Sequence, residues 1–85
     1  MVVFEVESGG RTRYLGVEEG NFHLDRGLRL VLRFLDEDMR LLDKDVFRLE
    51  GEDFHNWVAG SNGHTSLMQK IAAFAQVRLL SRVGS

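Results

Sequence analysis

The stretch VVFEVESGGRTRYLGV at residues 2–17 decides the fold, because it has the pattern of a β-hairpin. Two runs that alternate apolar and polar residues flank a Gly-Gly pair, which supplies the positive φ angles of a two-residue turn. This turn places Phe4 opposite Leu15 and Glu5 opposite Tyr14, and opposite residues point to the same face. The register gathers five apolar side chains on a core face: Val2, Phe4, Val6, Leu15 and Val17.

The residues after this hairpin predict two turns. The sequence EEGN at residues 18–21 forms the first turn, and DRG at residues 25–27 forms the second. Between the turns, Phe22 and Leu24 are too few to assign to a helix or a strand.

Residues 28–49 fit two different structures. As a helix, they have an apolar stripe opposite a charged face, and the stripe consists of Leu28, Val31, Leu32, Leu35, Met39 and Leu42. As a hairpin, apolar residues alternate over positions 28–34, the acidic run at 36–38 forms the tip, and residues 40–49 return. Helix propensity favours the first structure. Three features favour the hairpin: Gly27 at the start, the acidic run in the middle, and the need of residues 46–49 for a neighbouring strand. We therefore predict the hairpin.

The last third of the chain has helical patterns. A short helix is expected after Gly51, with acidic residues in its first turn and with Phe54, Trp57 and Val58 on one face. The aromatic pair Phe54 and Trp57 should anchor the core. After a loop at residues 60–63, Ser66 and Gln69 have the spacing of a capping box, which predicts a long helix that ends near residue 81.

This long helix is apolar on two sides. Beside a broad main stripe, Ala73, Val77 and Leu80 form a second stripe where a polar face is expected. In one interpretation, other elements of the fold cover both sides. In the other, the second stripe is a partner or self-association interface, with Arg78 and Arg82 near its rim.

The loop before the long helix is the best candidate for a ligand site. Free backbone N–H groups at a helix N-terminus favour an anion, and the polar side chains there belong to Ser61, Asn62, His64 and Thr65. The segment lacks the lysine and the preceding strand of a phosphate-binding P-loop. A plain helix–helix connection is the alternative.

Composition excludes several classes of function. The formal net charge is −2, which is neither the basic field of a nucleic-acid-binding protein nor that of an acidic DNA mimic. No cysteine is present, and the histidine–acid pairs His23/Asp25 and Asp53/His55 lack the spacing of a metal site. No run approaches the 18 apolar residues of a membrane span. We expect no cofactor, no metal and no membrane partner, and a cytoplasmic protein.

The segment LEGEDFHNW at residues 49–57 resembles the strand-to-helix corner of small phage and prophage proteins. The spacing of Phe47, Trp57, Gly60 and Gly63 before a final helix is also similar to one family of small anti-CRISPR proteins, which have an antiparallel sheet followed by helices. The similarity covers residues 47–71. It implies a phage-encoded accessory protein that occupies a surface of a larger assembly and has no chemistry of its own.

These patterns predict one small α+β domain over residues 1–85, in which an antiparallel meander of two hairpins precedes a short and a long helix packed on one face. We expect this domain to be a non-enzymatic protein-binding module, such as an inhibitor of a host assembly. Its last helix is expected to bind a protein partner or to form a homodimer. The alternative is a small anion- or ligand-binding protein or enzyme centred on residues 60–66.

Overall fold

The computed structural model describes residues 1–23, 27–60 and 63–84 of the chain. Along the sequence the elements are β1 (Val2–Ser8), β2 (Arg11–His23), β3 (Gly27–Leu35), β4 (Leu41–Glu50), α1 (Gly51–Ala59), α2 (Gly63–Ala75) and β5 (Arg78–Val83). The five strands form an antiparallel sheet in the order β4-β3-β2-β1-β5. The fold is therefore α+β, as predicted, with a larger sheet than two hairpins supply.

The first hairpin has the predicted register. Phe4 pairs with Leu15 and Glu5 pairs with Tyr14. Gly9 and Gly10 have φ angles of 58° and 78°, which a two-residue turn of the primed type requires and which glycine adopts without strain. The turn chemistry and the alternation of side chains thus specify the same pairing.

The predicted turn at residues 18–21 is wrong, because β2 continues through it to His23. The register between β2 and β3 shifts between Glu19 and Asn21, so the sequence EEGN forms a β-bulge within a long strand. Residues 24–26, which include most of the second predicted turn, lie outside the described residues. Gly27 begins β3 with a φ of 151°, and a Cβ there would lie 2.6 Å from the carbonyl oxygen of Leu49.

The second hairpin is confirmed, with β3 and β4 paired in antiparallel orientation around a tip at residues 36–40. The Asp36 carboxylate closes this tip by accepting hydrogen bonds from the backbone N–H groups of Asp38 (2.8 Å) and Arg40 (2.9 Å). Met39 occupies the left-handed region with a φ of 65°. These hydrogen bonds, first that from Arg40, lower the pKa of Asp36.

Both helices contribute to a core that lies on one face of the sheet. The buried side chains of this core cluster are Val6, Leu15, Leu28, Leu30, Leu32, Phe47, Leu49, Phe54 and Ile71. Phe54 is fully buried, as predicted, whereas Trp57, which was predicted to anchor the core with it, is half-buried and packs against the core. Val58 is exposed. The Trp57 indole N–H donates to the carbonyl oxygen of Gly63, and this hydrogen bond ties α1 to the first residue of α2.

The predicted long C-terminal helix is wrong, because α2 ends at Ala75 and the chain reverses into β5. The N–H of Gln76 donates to the carbonyl of Ala73 (3.3 Å), and the N–H of Val77 donates to the carbonyl of Ala72 (3.1 Å). Gln76 has a φ of 58°. This pair of hydrogen bonds around a left-handed residue is a Schellman motif, which ends a helix and satisfies its last carbonyls.

The capping box predicted at Ser66 is also wrong. Since α2 begins at Gly63, Ser66 lies inside the helix and not at the position that precedes it.

We predict that Gln76→Gly stabilises the fold. A left-handed conformation costs an L-residue about 1–2 kcal/mol, and the greater freedom of glycine in the unfolded chain offsets about half of the gain. The expected net gain of about 0.5–1 kcal/mol corresponds to a rise of about 2–8 °C in Tm for a domain of this size. Thermal denaturation by circular dichroism measures it. Gln76→Ala, which keeps a Cβ, is the control, and a glycine variant no more stable than the alanine variant would contradict the motif.

We predict that Asp36 makes the stability of the second hairpin depend on pH. Because the pKa of Asp36 is lowered on folding, its carboxylate stabilises the fold above the unfolded-state pKa, and this contribution is lost as the pH falls through the folded-state pKa. Asp36→Ala should therefore have a lower Tm than the wild type at neutral pH and an equal Tm in acid. Asp36→Asn, which keeps an acceptor oxygen but does not titrate, is the control. A difference in Tm between Asp36→Ala and the wild type that is constant across this pH range would contradict the assignment.

Candidate protein-binding edge

The strand β5 forms one edge of the sheet, where it pairs with β1 and has no strand on its other side among the described residues. Five of its six residues are exposed, and Leu80 and Val83 have exposed fractions of 43% and 41%. The register between β1 and β5 shifts between Glu5 and Val6. An edge strand presents unpaired backbone N–H and C=O groups, which a further strand can bind.

A groove runs between this edge strand and α2. Its volume is about 480 Å³, and it is open to solvent. It is lined mainly by apolar surface of Thr65, Met68, Gln69 and Ala72 on α2, of Val77 just before β5, and of Arg78 and Leu79 at the start of β5. The four residues of α2 have the spacing i, i+3, i+4 and i+7, so they share one side of the helix. The chain reversal at Gln76 therefore places an apolar groove beside a free sheet edge.

The opposite edge of the sheet, β4, is protected against pairing. The backbone N–H of Lys44 donates to the carboxylate of Asp43 (2.8 Å), and the N–H of Val46 donates to the carboxylate of Asp45 (2.7 Å). A strand added to this part of β4 would find these two donors already occupied and would meet two negative charges. Among the described hydrogen bonds, β5 has no such side-chain protection.

The residues predicted to form a helical interface belong to different elements. Ala73 lies on α2 and is exposed, Val77 lies in the link after α2 and is half-buried, and Arg78, Leu80 and Arg82 belong to β5. They therefore do not form one stripe of a helix. The structure nevertheless brings Val77 and Arg78 into the groove and places Leu80 and Arg82 along the free edge.

The two arginines of β5 have different surroundings. Arg78 donates to the carboxylate of Glu7 on β1 at 2.8 Å, and both side chains are exposed, so this ion pair contributes little to stability. Arg82 lies opposite Phe4 and is exposed, with no ion pair among the described residues. Arg82 is thus available to a partner, whereas Arg78 already has a carboxylate.

Sequence reasoning missed the groove residues Met68, Gln69 and Ala72 as parts of a site, because a continuous helix would not form a groove with its own last turns. The helix end was hard to detect because Gln occupies the left-handed position where glycine is usual. One signal was present. Val77 and Val83 are β-branched, which is more typical of strands than of helices.

The predicted anion-binding loop is described only in part. Ser61 and Asn62 lie outside the described residues, as does the side chain of His64. Thr65 is exposed within the first turn of α2 and lines the groove. Anion binding by this loop stays a prediction.

Within residues 1–23, 27–60 and 63–84, no group of three or more His, Cys, Asp or Glu side chains is placed to hold a metal ion. Over the same residues, neither helix has the length and apolar character needed to cross a membrane.

Comparisons with models of protein families, with curated proteins and with solved structures find no match to this chain. The candidate site therefore rests on its own geometry.

Proposed function

We propose that this protein is a non-enzymatic protein-binding module that captures an extended segment of a partner by adding it as a strand to β5. The observation that supports this proposal is the free edge of β5 beside the mainly apolar groove. Strand addition uses backbone hydrogen bonds for affinity and pockets for alternate side chains for specificity. The edge and the groove supply these two parts in adjacent positions.

The length of β5 sets the size of the captured segment. Its six residues extend over about 20 Å, and side chains that point to the same face recur about every 6.6 Å along a strand. The groove lies beside the start of β5, at Val77, Arg78 and Leu79. An added segment would direct an apolar side chain into the groove and place later residues beside Leu80 and Arg82.

The charges of β5 favour a different protein over a second β5 strand. Charged side chains on an edge strand discourage the pairing of identical edges, and β5 carries Arg78 and Arg82. A segment with an acidic residue near Arg82 would complement this edge. Homodimer formation, expected from the sequence, stays a prediction.

The resemblance of residues 47–71 to small phage and anti-CRISPR proteins indicates what kind of partner this protein would bind. The partner would be part of a larger host assembly, which the bound protein inhibits by occupying its surface. Because strand addition needs no reacting group, this function requires no cofactor and no catalytic residue.

A selection from random peptides displayed on phage tests the binding mode. We expect enriched peptides with apolar residues at alternate positions. On binding we expect slower amide hydrogen exchange at the N–H groups within residues 79–83 that face away from β1, because added backbone hydrogen bonds protect these groups. Two-dimensional NMR measures the exchange. Enriched peptides that leave the exchange of β5 unchanged would contradict strand addition.

A matched pair of substitutions on α2 tests the groove. Ala72 lines the groove, whereas its neighbour Ala73 is exposed and lies outside it. Ala72→Phe should fill the groove and weaken the binding of a selected peptide at least about tenfold, because a lost apolar contact of one side chain costs about 1.5–3 kcal/mol. Ala73→Phe should bind like the wild type. Fluorescence anisotropy with the labelled peptide measures both, and equal affinities in the two variants would exclude the groove.

A further inference from the structure

The face of the sheet opposite the helices carries a basic cluster on β3 and β4. Because Leu30, Leu32, Phe47 and Leu49 are buried on the helix side, the residues that alternate with them point to the other face. There Arg29 pairs with Arg48, Val31 with Val46, and Arg33 with Lys44. We call these six residues the basic face. They form three successive rows, in which an apolar pair separates two pairs of cations.

The basic face is unfavourable for the isolated chain. Like charges directly opposite each other on neighbouring strands destabilise a sheet, and two of the three rows have this arrangement. Arg33 has an ion pair with Glu18 on β2, and this hydrogen-bonded guanidinium lowers the pKa of Glu18. No ion pair is found for the other three cations among the described residues. A ligand with negative charges would relieve this repulsion.

The rows have the spacing of an extended polypeptide. The two cation pairs are four residues apart along β3, which corresponds to about 13 Å. In an extended segment, residues i, i+2 and i+4 point to one side with the same spacing. Carboxylates at i and i+4 would each lie between two cations, and an apolar residue at i+2 would lie over Val31 and Val46.

We propose that the basic face binds an extended acidic segment of a protein, with carboxylates at positions i and i+4 and an apolar residue at i+2. Charge complementarity selects this occupant, because each carboxylate meets one cation pair and can accept from two side chains. This site is separate from the β5 edge. It lies on β3 and β4, at the opposite end of the sheet, and on the face away from α2.

A protein segment fits the basic face better than a nucleic acid. Proteins that bind single-stranded nucleic acids stack bases on several aromatic side chains, and among the described residues of this sheet face Tyr14 is the single aromatic one. The apolar row between the cations would oppose a continuous phosphate backbone, which places a charge at every nucleotide. Arginine and tyrosine are enriched at surfaces that contact proteins.

Two labelled peptides of identical composition test the proposal. One has glutamates at i and i+4 around a valine at i+2, and the other has glutamates at i and i+3, which point to opposite sides of an extended chain. Fluorescence anisotropy at low and moderate salt should show tighter binding of the first peptide, with affinity that falls as salt rises. Equal affinities of the two peptides, or no binding of either, would overturn the proposal.

The double variant Lys44→Glu with Arg48→Glu supplies a second test. We expect it to bind the peptide more weakly but to be more stable. It should bind the first peptide at least about tenfold more weakly, because two attractive pairs become repulsive. Its Tm should rise, because each new glutamate faces Arg33 or Arg29 and converts a like-charge pair to an opposite-charge pair. A lower Tm would overturn the premise that the opposed cations repel each other.

Two control variants and a nucleic-acid probe test whether the peptide binds specifically at the basic face. Arg11→Glu with Lys70→Glu makes the same change of net charge at exposed positions outside the basic face and should bind the first peptide like the wild type. Ala72→Phe, which fills the groove beside β5, should also bind it normally, so that the two sites are tested independently. A loss of binding in either control, or tighter binding of a thymidine oligonucleotide than of the first peptide, would overturn the proposal.

Discussion

The pair of hydrogen bonds that closes α2 around Gln76 is the interaction on which the candidate site depends. It turns the chain back after Ala75, so that residues 78–83 lie along β1 as β5. Without this reversal β1 would be an edge strand and the groove beside α2 would lack one wall. A single left-handed residue therefore determines both the width of the sheet and the position of its free edge.

The two edges of the sheet have different chemistry. On β4, carboxylates of Asp43 and Asp45 occupy backbone donors, which protects this edge from further strands. On β5, side chains leave the backbone free and α2 adds an apolar groove. The face away from the helices differs again, because β3 and β4 place cations opposite cations there. The protein thus separates a site for backbone pairing from a site for charge recognition.

Local patterns in the sequence were sufficient for the parts of the fold that depend on near neighbours. The glycine pair set the register of the first hairpin, and alternation with an acidic tip identified the second. The EEGN sequence was misinterpreted because a bulge and a turn use the same residue types, and only the partner strand β3 distinguishes them. The buried position of Phe54 followed from its helical spacing, whereas the exposure of Val58 depended on where α1 meets the sheet.

The candidate site could be predicted only in part. Val77 and Leu80 were selected because apolar residues do not suit the solvent-facing side of a helix, and Arg82 because a charged residue does not suit an apolar stripe. The structure places all three at or near the free edge. Their secondary structure was predicted incorrectly, because Gln76 has an ordinary helical residue type in a position that tertiary pairing with β1 imposes. The basic face was not detected, since opposite residues on β3 and β4 become neighbours only when the register of the hairpin is known.

Backbone NMR of residues 76–83 tests the central claim most directly, because it distinguishes a helix from an edge strand. We predict extended-strand chemical shifts for residues 78–83, and cross-strand nuclear Overhauser effects between Val6 and Leu79 and between Glu7 and Arg78. Helical chemical shifts that continue from Gly63 to Ser81, with effects between Hα of residue i and Hβ of residue i+3, would contradict the chain reversal and the site built on it.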